Sequence, residues 1–295
     1  MKRKSKATSA RQTLGLSSSK GLLPAGSVVS RQWRSAQAAL VLSVALILSW
    51  PIQPIEYDNT RSRYLLAASI AERGTFAIDP YAEQTVDLAR RGDHFYSNKA
   101  IGVPILGAAV WWGLRHLTPL RDRMDLDPQL LYWTRVVTTS LPAALFAGLF
   151  SEAALVLGAS PAGAIVLSLA YMLGTPALLH GSTFSGHQMA AAFCFTGFSA
   201  VVIGLRRSRR SPVAMAAGGF LVGWGVLSDY IAAVIAIAIT IYVVAETGFS
   251  RKYLAAFLAG AAIPASILLF YNTVCFGSPL SLSYAHQTTD IMAEG

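Results

Sequence analysis

Long apolar stretches, separated by short polar turns, constrain the fold of this chain more than any other feature. Eight such stretches follow one another, at about 36–54, 100–117, 130–157, 162–179, 189–205, 214–227, 231–245 and 254–271. An α-helix needs about 20 apolar residues to cross the roughly 30 Å hydrocarbon core of a bilayer. The chain is 54% hydrophobic and only 13% charged, against about 25% charged in an average soluble domain. It is therefore predicted to be an all-α, polytopic membrane protein.

The distribution of basic residues predicts how the chain crosses the membrane. Residues 1–34 carry eight Lys or Arg and no acidic residue, and further basic turns lie at 206–210 and 251–252. Basic loops stay in the cytoplasm, so the N-terminus and both turns are expected there. With eight crossings, the residues after the last span would lie in the cytoplasm. The basic turns place these residues on the outer side instead. One stretch within 100–180 is therefore expected not to cross fully, which leaves about seven transmembrane helices.

Three regions are predicted from these patterns. Residues 1–35 are expected to form a disordered basic cytoplasmic tail, because this lead is longer than the charged part of a signal peptide and no A-x-A site follows. Residues 36–284 would form the transmembrane module, and 285–295 a truncated outer loop. The net charge of +9 lies next to apolar spans, where it indicates topology. The lipid bilayer is therefore the expected partner, and no nucleic-acid partner is expected.

One polar segment, residues 56–99, follows the first apolar stretch and is expected to form the first extracytoplasmic loop. It holds seven of the fifteen acidic residues of the chain. Two short surface helices are predicted in it. The first would begin at a cap within 58–60, end at Gly74 and carry one apolar stripe. The second would begin at an N-cap, Asp79, and stop at Gly92.

Five sequence pieces, spread from about 56 to 284, carry a resemblance: DNTRSRYLLAASIAERGTFAID, GDHFYSNKAIGVPIL, STFSGHQMAAAF, VGWGVLSDY and YNTVCFGSPLSLSY. In order and spacing they resemble the GT-C superfamily, and within it the bacterial protein O-mannosyltransferases and lipid A aminoarabinose transferases. The resemblance implies a multi-pass enzyme of the bacterial inner membrane. It would transfer a sugar, with inversion, from a polyprenyl-phosphate donor to an extracytoplasmic acceptor. It also implies that this chain is truncated.

The resemblance further implies a catalytic acid at the start of the first outer loop, followed by an arginine. Asp58 and Arg61 match this pattern, although Asn59 replaces the usual second acid. The spacing to the glycine that ends the first helix matches Arg63 instead, and this register would move the acid position to Thr60. Both registers remain open from the sequence.

Transfer from a polyprenyl phosphate needs a base for the acceptor hydroxyl and positive charge for the departing phosphate. Asp58 and Asp79 are the candidate catalytic carboxylates; the alternative for each is an N-cap that faces water. Either arginine would bind substrate, as would Lys99, which the resemblance places beside the lipid phosphate and which could equally be an interfacial lysine. Tyr96 and His187 are weaker candidates. A divalent metal could supply the same charge, but no cluster with zinc-ligand spacing is present in the sequence.

Two other functions remain open from the sequence. A transporter or flippase would place ionisable residues near the middle of the membrane, but the predicted spans hold almost none: Arg135, Glu152 and Asp229, the last in a turn between two apolar runs. Ionisable residues in such surroundings are usually functional. A non-catalytic fragment of a GT-C protein is the second alternative, if Gly295 is the true terminus.

Overall fold

The computed structural model describes residues 31–50, 58–118, 127–206, 211–248 and 250–288. These ranges are helical apart from one short hairpin and a few turns. The α-helices are α1 (Arg31–Ser49), α2 (Asp58–Arg73), α3 (Gly102–Leu117), α4 (Pro128–Arg135), α5 (Leu141–Val156), α6 (Pro161–Gly174), α7 (Ala177–Gly181), α8 (Gly186–Arg206), α9 (Pro212–Ser228), α10 (Ala233–Thr247) and α11 (Arg251–Phe276). A π-helical turn, Val136–Ser140, joins α4 and α5 into one rod.

Four helical segments are long and apolar enough to cross a membrane: Pro128–Val156, Gly186–Leu205, Tyr230–Thr247 and Arg251–Phe276. Two apolar helices, α6 and α9, are shorter. On α10 the side chains of Val234, Ile237 and Ile241 are each more than 60% exposed, as suits a helix that faces lipid. The predicted α-helical membrane protein is therefore confirmed. The prediction of about seven spans goes beyond these four.

Helix α9 packs between α8 and α11. Glycines bring the backbones of α9 and α11 together: a Cβ at Gly219 would lie 1.9 Å from the carbonyl oxygen of Phe257. A Cβ at Gly260 would lie 1.9 Å from the carbonyl oxygen of Ala216. Small residues allow this close contact, which stabilises helix pairs in a membrane through van der Waals packing.

Arg135 ties three separate segments together at the end of α4. Its Nη1 donates to the carbonyl oxygens of Leu48, at 2.8 Å, and Ser182, at 2.5 Å. Its Nη2 donates to the carbonyl oxygen of Ser49 at 3.2 Å. The last carbonyls of α1 have no partner within their own helix, so this buried guanidinium satisfies them.

The first helix of the polar segment is confirmed, but its surroundings are not those predicted. Helix α2 ends at Gly74, whose φ of +63° allows the chain to turn away. The predicted single apolar stripe is wrong. All residues from Ser62 to Ser69 are buried, because α3 and the following hairpin both pack against the helix.

The second predicted helix, from Asp79 to Gly92, is wrong. Asp79–Gln84 forms only a 3₁₀ turn, and the chain continues into an antiparallel hairpin of β1 (Leu88–Arg91) and β2 (His94–Ser97). Gly92 lies in the hairpin turn with a φ of +61°. Four-residue strands are too short for an alternating pattern to stand out beside a helical one.

The predicted N-cap role of Asp79 is wrong as well. Its Oδ1 accepts a hydrogen bond of 2.6 Å from the backbone N–H of Phe95, and its Oδ2 lies 2.7 Å from Nδ1 of His94. The carboxylate therefore holds the 3₁₀ turn against β2. An Asp-Pro pair serves such a turn as well as a helix start, so the sequence pattern was ambiguous.

The segment after α11 closes over the hairpin. A 3₁₀ turn, Ser283–His286, follows α11, and the Ser283 hydroxyl donates to the carbonyl oxygen of Asn98 at 2.9 Å. Gln287 forms an isolated bridge with Ala89 of β1. The hairpin is thus held between α2 and the segment that follows α11.

Candidate functional site

Charged side chains converge around Arg63, near the start of α2. This residue is only 3% exposed. Its Nη1 donates to the carbonyl oxygen of Asn59 at 3.0 Å and contacts the amide oxygen of the same residue. Its Nε has no hydrogen-bond partner in the described part of the chain. Burial lowers the pKa of Arg63, whereas Tyr284, Asp229 and Asp87 raise it. A buried guanidinium between two carboxylates is the electrostatic centre of the site.

The first carboxylate, Asp87, binds Lys99. The lysine Nζ lies 2.9 Å from Asp87 Oδ1, and the two side chains are 10% and 18% exposed. The same oxygen accepts a hydrogen bond from Asn98 Nδ2 at 3.3 Å. The Asp87 carbonyl oxygen accepts a bond of 2.7 Å from the Ser62 hydroxyl of α2. These contacts hold Lys99 against Asp87, beside α2, in surroundings that water enters little.

The second carboxylate, Asp229, binds His187. Asp229 directly follows α9 in an extended conformation, which turns its side chain toward the start of α8. Its Oδ2 accepts from Nδ1 of His187, and its Oδ1 accepts from the backbone N–H of Ile231 at 3.2 Å. The hydrogen bond from His187 lowers the pKa of Asp229, against the opposing effect of burial. The carboxylate therefore favours its charged form.

His180 lies beside this pair, its ring centroid 4.6 Å from that of His187. Its Nδ1 is 3.2 Å from the hydroxyl of Ser185. Burial lowers the pKa of His180, His187 and Arg63 act in the same direction, and Asp229 opposes them. The neutral imidazole is the form that suits this position.

Acidification is expected to destabilise the folded protein through His180. Because the folded pKa lies below the ordinary value of about 6.5, the unfolded chain binds a proton first as the pH falls. Stability therefore decreases as the pH drops through about 6.5. Thermal unfolding in detergent between about pH 8 and pH 5 would measure this slope. His180→Gln should reduce it, and an identical slope in the variant would contradict the assignment.

The two arginines that fit the sequence pattern occupy different places. Arg63 lies in the cluster, whereas Arg61 donates from Nη1 to the carbonyl oxygen of Gln84 at 2.9 Å. Asp58 is directed to the same segment, since its Oδ1 accepts from the backbone N–H of Val86 at 3.2 Å. The structure therefore places Asp58 and Arg61 against residues 84–86.

Asp79 and Tyr96 lie apart from the Arg63 cluster. Asp79 and its partner His94 sit at the turn end of the hairpin, with side chains 36% and 62% exposed. Tyr96 alternates with Ser97 along β2 and so faces the other side of the hairpin. Its ring packs edge-on against Phe276 of α11, with centroids 5.5 Å apart. Burial raises the pKa of Tyr96, as suits a packing residue.

Sequence reasoning missed Asp87, which reads as an ordinary loop charge. The pairing of Leu88 with Ser97 in the hairpin places Asp87 next to residues 98–99. A correct hairpin prediction would therefore have found it. Asp229 was noticed as an ionisable residue between apolar runs, but its pairing with His187 spans 42 residues. No local pattern encodes such a contact.

An apolar groove of about 580 Å³ lies between α3, the α4–α5 rod, α8 and α9. Its lining includes the side chains of Leu106, Val137, Phe146, Phe193 and Leu221. Met189 also lines the groove and follows His187 by two residues on α8, which is about 3 Å along the helix axis. The groove therefore begins within one turn of α8 from His187.

Two further observations concern the identity of the site. In the described ranges no group of three or more His, Cys, Asp or Glu side chains could hold a metal ion, so the divalent metal stays a prediction. Comparisons with protein-family models, with curated proteins and with solved structures find no match. The geometry of the cluster is therefore the basis on which a function can be proposed.

Proposed function

We propose that this chain is a membrane glycosyltransferase of the GT-C type, which moves a sugar from a polyprenyl-phosphate donor to an extracytoplasmic acceptor with inversion. One observation carries the proposal. Lys99 contacts the carboxylate of Asp87, the same carboxylate raises the pKa of the buried Arg63, and an apolar groove begins within one turn of α8 from His187. Positive charge next to a hydrocarbon-sized groove is the combination that a lipid phosphate requires.

The two cations have the properties that a departing phosphate needs. A guanidinium offers a planar fork of donors, and an ammonium adds a compact point charge. Both lie where water is largely excluded, so their attraction for an anion is stronger than at an exposed surface. Asp87 keeps Lys99 in position. The donor phosphate would take the place of that carboxylate.

Charges within the predicted spans favour an enzyme over a transporter. Arg135 is bound by backbone carbonyls of α1 and of the segment after α7. Glu152 of α5 accepts from Trp33 Nε1 at 2.9 Å and from Gln37 Nε2 at 3.3 Å. Both side chains therefore hold helices together, and neither is available for a substrate that moves through the membrane.

The remaining assignments belong to the same proposal. The chain would lie in a bacterial inner membrane with its N-terminus in the cytoplasm, about seven spans, and the segment 56–99 on the outer side. The apolar groove would receive the first part of the polyprenyl chain. A divalent metal at the phosphate is part of the hypothesis. The base that takes the proton of the acceptor hydroxyl, Asp58 or another group, has to be assigned separately.

Lys99→Met is expected to weaken the binding of undecaprenyl phosphate about 10- to 100-fold, because a hydrogen bond to a charged group contributes about 1.5–3 kcal/mol. Binding to the full chain in nanodiscs would be measured by fluorescence titration. Lys252→Met is the matched control, since Lys252 lies over the ring of Tyr253 at the start of α11. Equal affinities of the two variants would refute the proposed phosphate site.

A transfer assay tests the activity itself. The wild-type chain would be incubated with polyprenyl phosphates that carry radiolabelled mannose, glucose or aminoarabinose, and sugar released to water or to membrane acceptors would be counted. Release that depends on Lys99 supports the proposal. Binding of undecaprenyl phosphate without release from any donor would favour the non-catalytic alternative.

A further inference from the structure

The geometry points to His187, oriented by Asp229, as the base that takes the proton of the acceptor hydroxyl. This inference rests on the proposed glycosyltransferase function and assigns a catalytic residue within it. The base would then come from the start of α8, whereas the sequence pattern places it at the start of α2.

The His187–Asp229 pair is built like an oriented base. The Asp229 side chain is 12% exposed, while that of His187 is 44% exposed. The carboxylate is therefore largely covered, and the imidazole is the group that solvent can reach. Because a carboxylate can only accept, Nδ1 of His187 donates to it, and the lone pair is left on Nε2. No hydrogen bond joins this Nε2 to any part of the chain that the structure describes. It is free to accept a proton from a substrate.

The backbone fixes this base beside the proposed phosphate site. Gly186 precedes His187, and a Cβ at Gly186 would lie 3.2 Å from Nη2 of Arg63 and 2.3 Å from the carbonyl oxygen of Ser228. The start of α8 therefore touches both the guanidinium and the end of α9. Since Asp229 follows Ser228 directly, this contact sets His187 and Asp229 side by side. Neighbouring residues would thus take the proton from the nucleophile and stabilise the charge of the leaving group.

Two acidic residues of the polar segment, Asp87 and Asp58, already have partners. Asp87 binds Lys99 and Asn98, and Asp58 accepts from a backbone N–H of the loop. The second histidine–carboxylate pair, His94 with Asp79, lies at the turn of the hairpin and is open to water. Of these groups, His187 alone combines an oriented imidazole with a position beside Arg63.

The proposed step balances as a single displacement. The acceptor oxygen forms a bond to the anomeric carbon while the bond from that carbon to the phosphate oxygen breaks. The electron pair of the broken bond leaves with the phosphate, which Arg63 and Lys99 stabilise. The hydroxyl proton passes to Nε2 of His187, and Asp229 stabilises the resulting imidazolium. The proton is then lost to water through the exposed edge of the ring.

The test compares four variants of the full chain in nanodiscs: His187→Gln, Asp229→Asn, Asp58→Asn and His94→Gln. His187→Gln should reduce the turnover of the radiolabelled donor about 10²- to 10⁴-fold and keep its binding of undecaprenyl phosphate. Asp229→Asn should show an intermediate loss. His94→Gln is the matched control and should turn over like the wild type.

The possible results separate this inference from the proposed function. If the wild type binds and turns over donor while His187→Gln does so at the same rate, the inference fails and the proposed function stands. If Asp58→Asn alone is inactive, Asp58 is the base. A wild-type chain that neither binds nor turns over donor would refute both. Retained phosphate binding in His187→Gln shows that a loss of turnover is not a loss of fold.

Discussion

Arg135→Met is expected to lower the free energy of unfolding by at least about 3 kcal/mol, because it removes three hydrogen bonds from a charged donor at about 1.5–3 kcal/mol each. The acceptor carbonyl oxygens belong to Leu48, Ser49 and Ser182. Water cannot replace the guanidinium easily at a buried position in a membrane protein. The end of α1 should therefore be held less firmly against α4 and against the segment after α7.

Unfolding in detergent, followed by circular dichroism as the fraction of SDS is increased, would measure this loss. Arg135→Lys should recover part of the stability, since an ammonium can reach fewer of the three carbonyls at once. Arg251→Met is the control, because Arg251 is exposed at the start of α11 and should change stability by about 0.5 kcal/mol or less. Equal stabilities of Arg135→Met and Arg251→Met would contradict the role of this residue.

Gly260→Leu is expected to separate α9 from α11 and to abolish any activity that depends on Asp229. The added Cβ would lie 1.9 Å from the carbonyl oxygen of Ala216, and a backbone atom cannot move aside as a flexible side chain does. Overpacking costs about 1–3 kcal/mol or more. Because α9 leads directly into Asp229, its displacement would also draw the carboxylate away from His187.

A milder substitution and a neutral one complete this test. Gly260→Ala should give a smaller loss of stability in the same SDS titration. Gly113→Ala in α3 is the matched control, since no atom lies within 4 Å of its added Cβ and alanine favours a helix by up to about 1 kcal/mol. If Gly260→Leu were as stable as Gly113→Ala, the contact between α9 and α11 would be looser than described.

The helices could be predicted from the sequence because hydropathy acts over long, local segments. The predicted stretch 254–271 lies within α11, and 100–117 corresponds to α3. The hairpin could not be predicted, because its strands have four residues each and because Asp79 and Gly92 also suit a helix. Turn residues define where the chain bends; they do not define what lies between the bends.

The charged residues of the candidate site could be proposed from the sequence, whereas the pairs that they form could not. Lys99 and Arg63 could be chosen as candidates because a resemblance gave their order along the chain. The contact of Lys99 with Asp87 depends on the hairpin register, and the contact of His187 with Asp229 depends on how α8 meets α9. Such contacts arise from tertiary packing, so residue type and spacing alone do not contain them.

The contact between Ser283 and Asn98 also has a consequence for the order of events during synthesis. These residues are 185 positions apart, and contacts of such long range form late. Proteins grow from the N-terminus, so the polar loop leaves the ribosome while most of the helices do not yet exist. The loop cannot complete its contacts until α11 has been inserted and the segment after it has packed over the hairpin. Chains that stop earlier in synthesis therefore carry the charged residues of the site without its final shape.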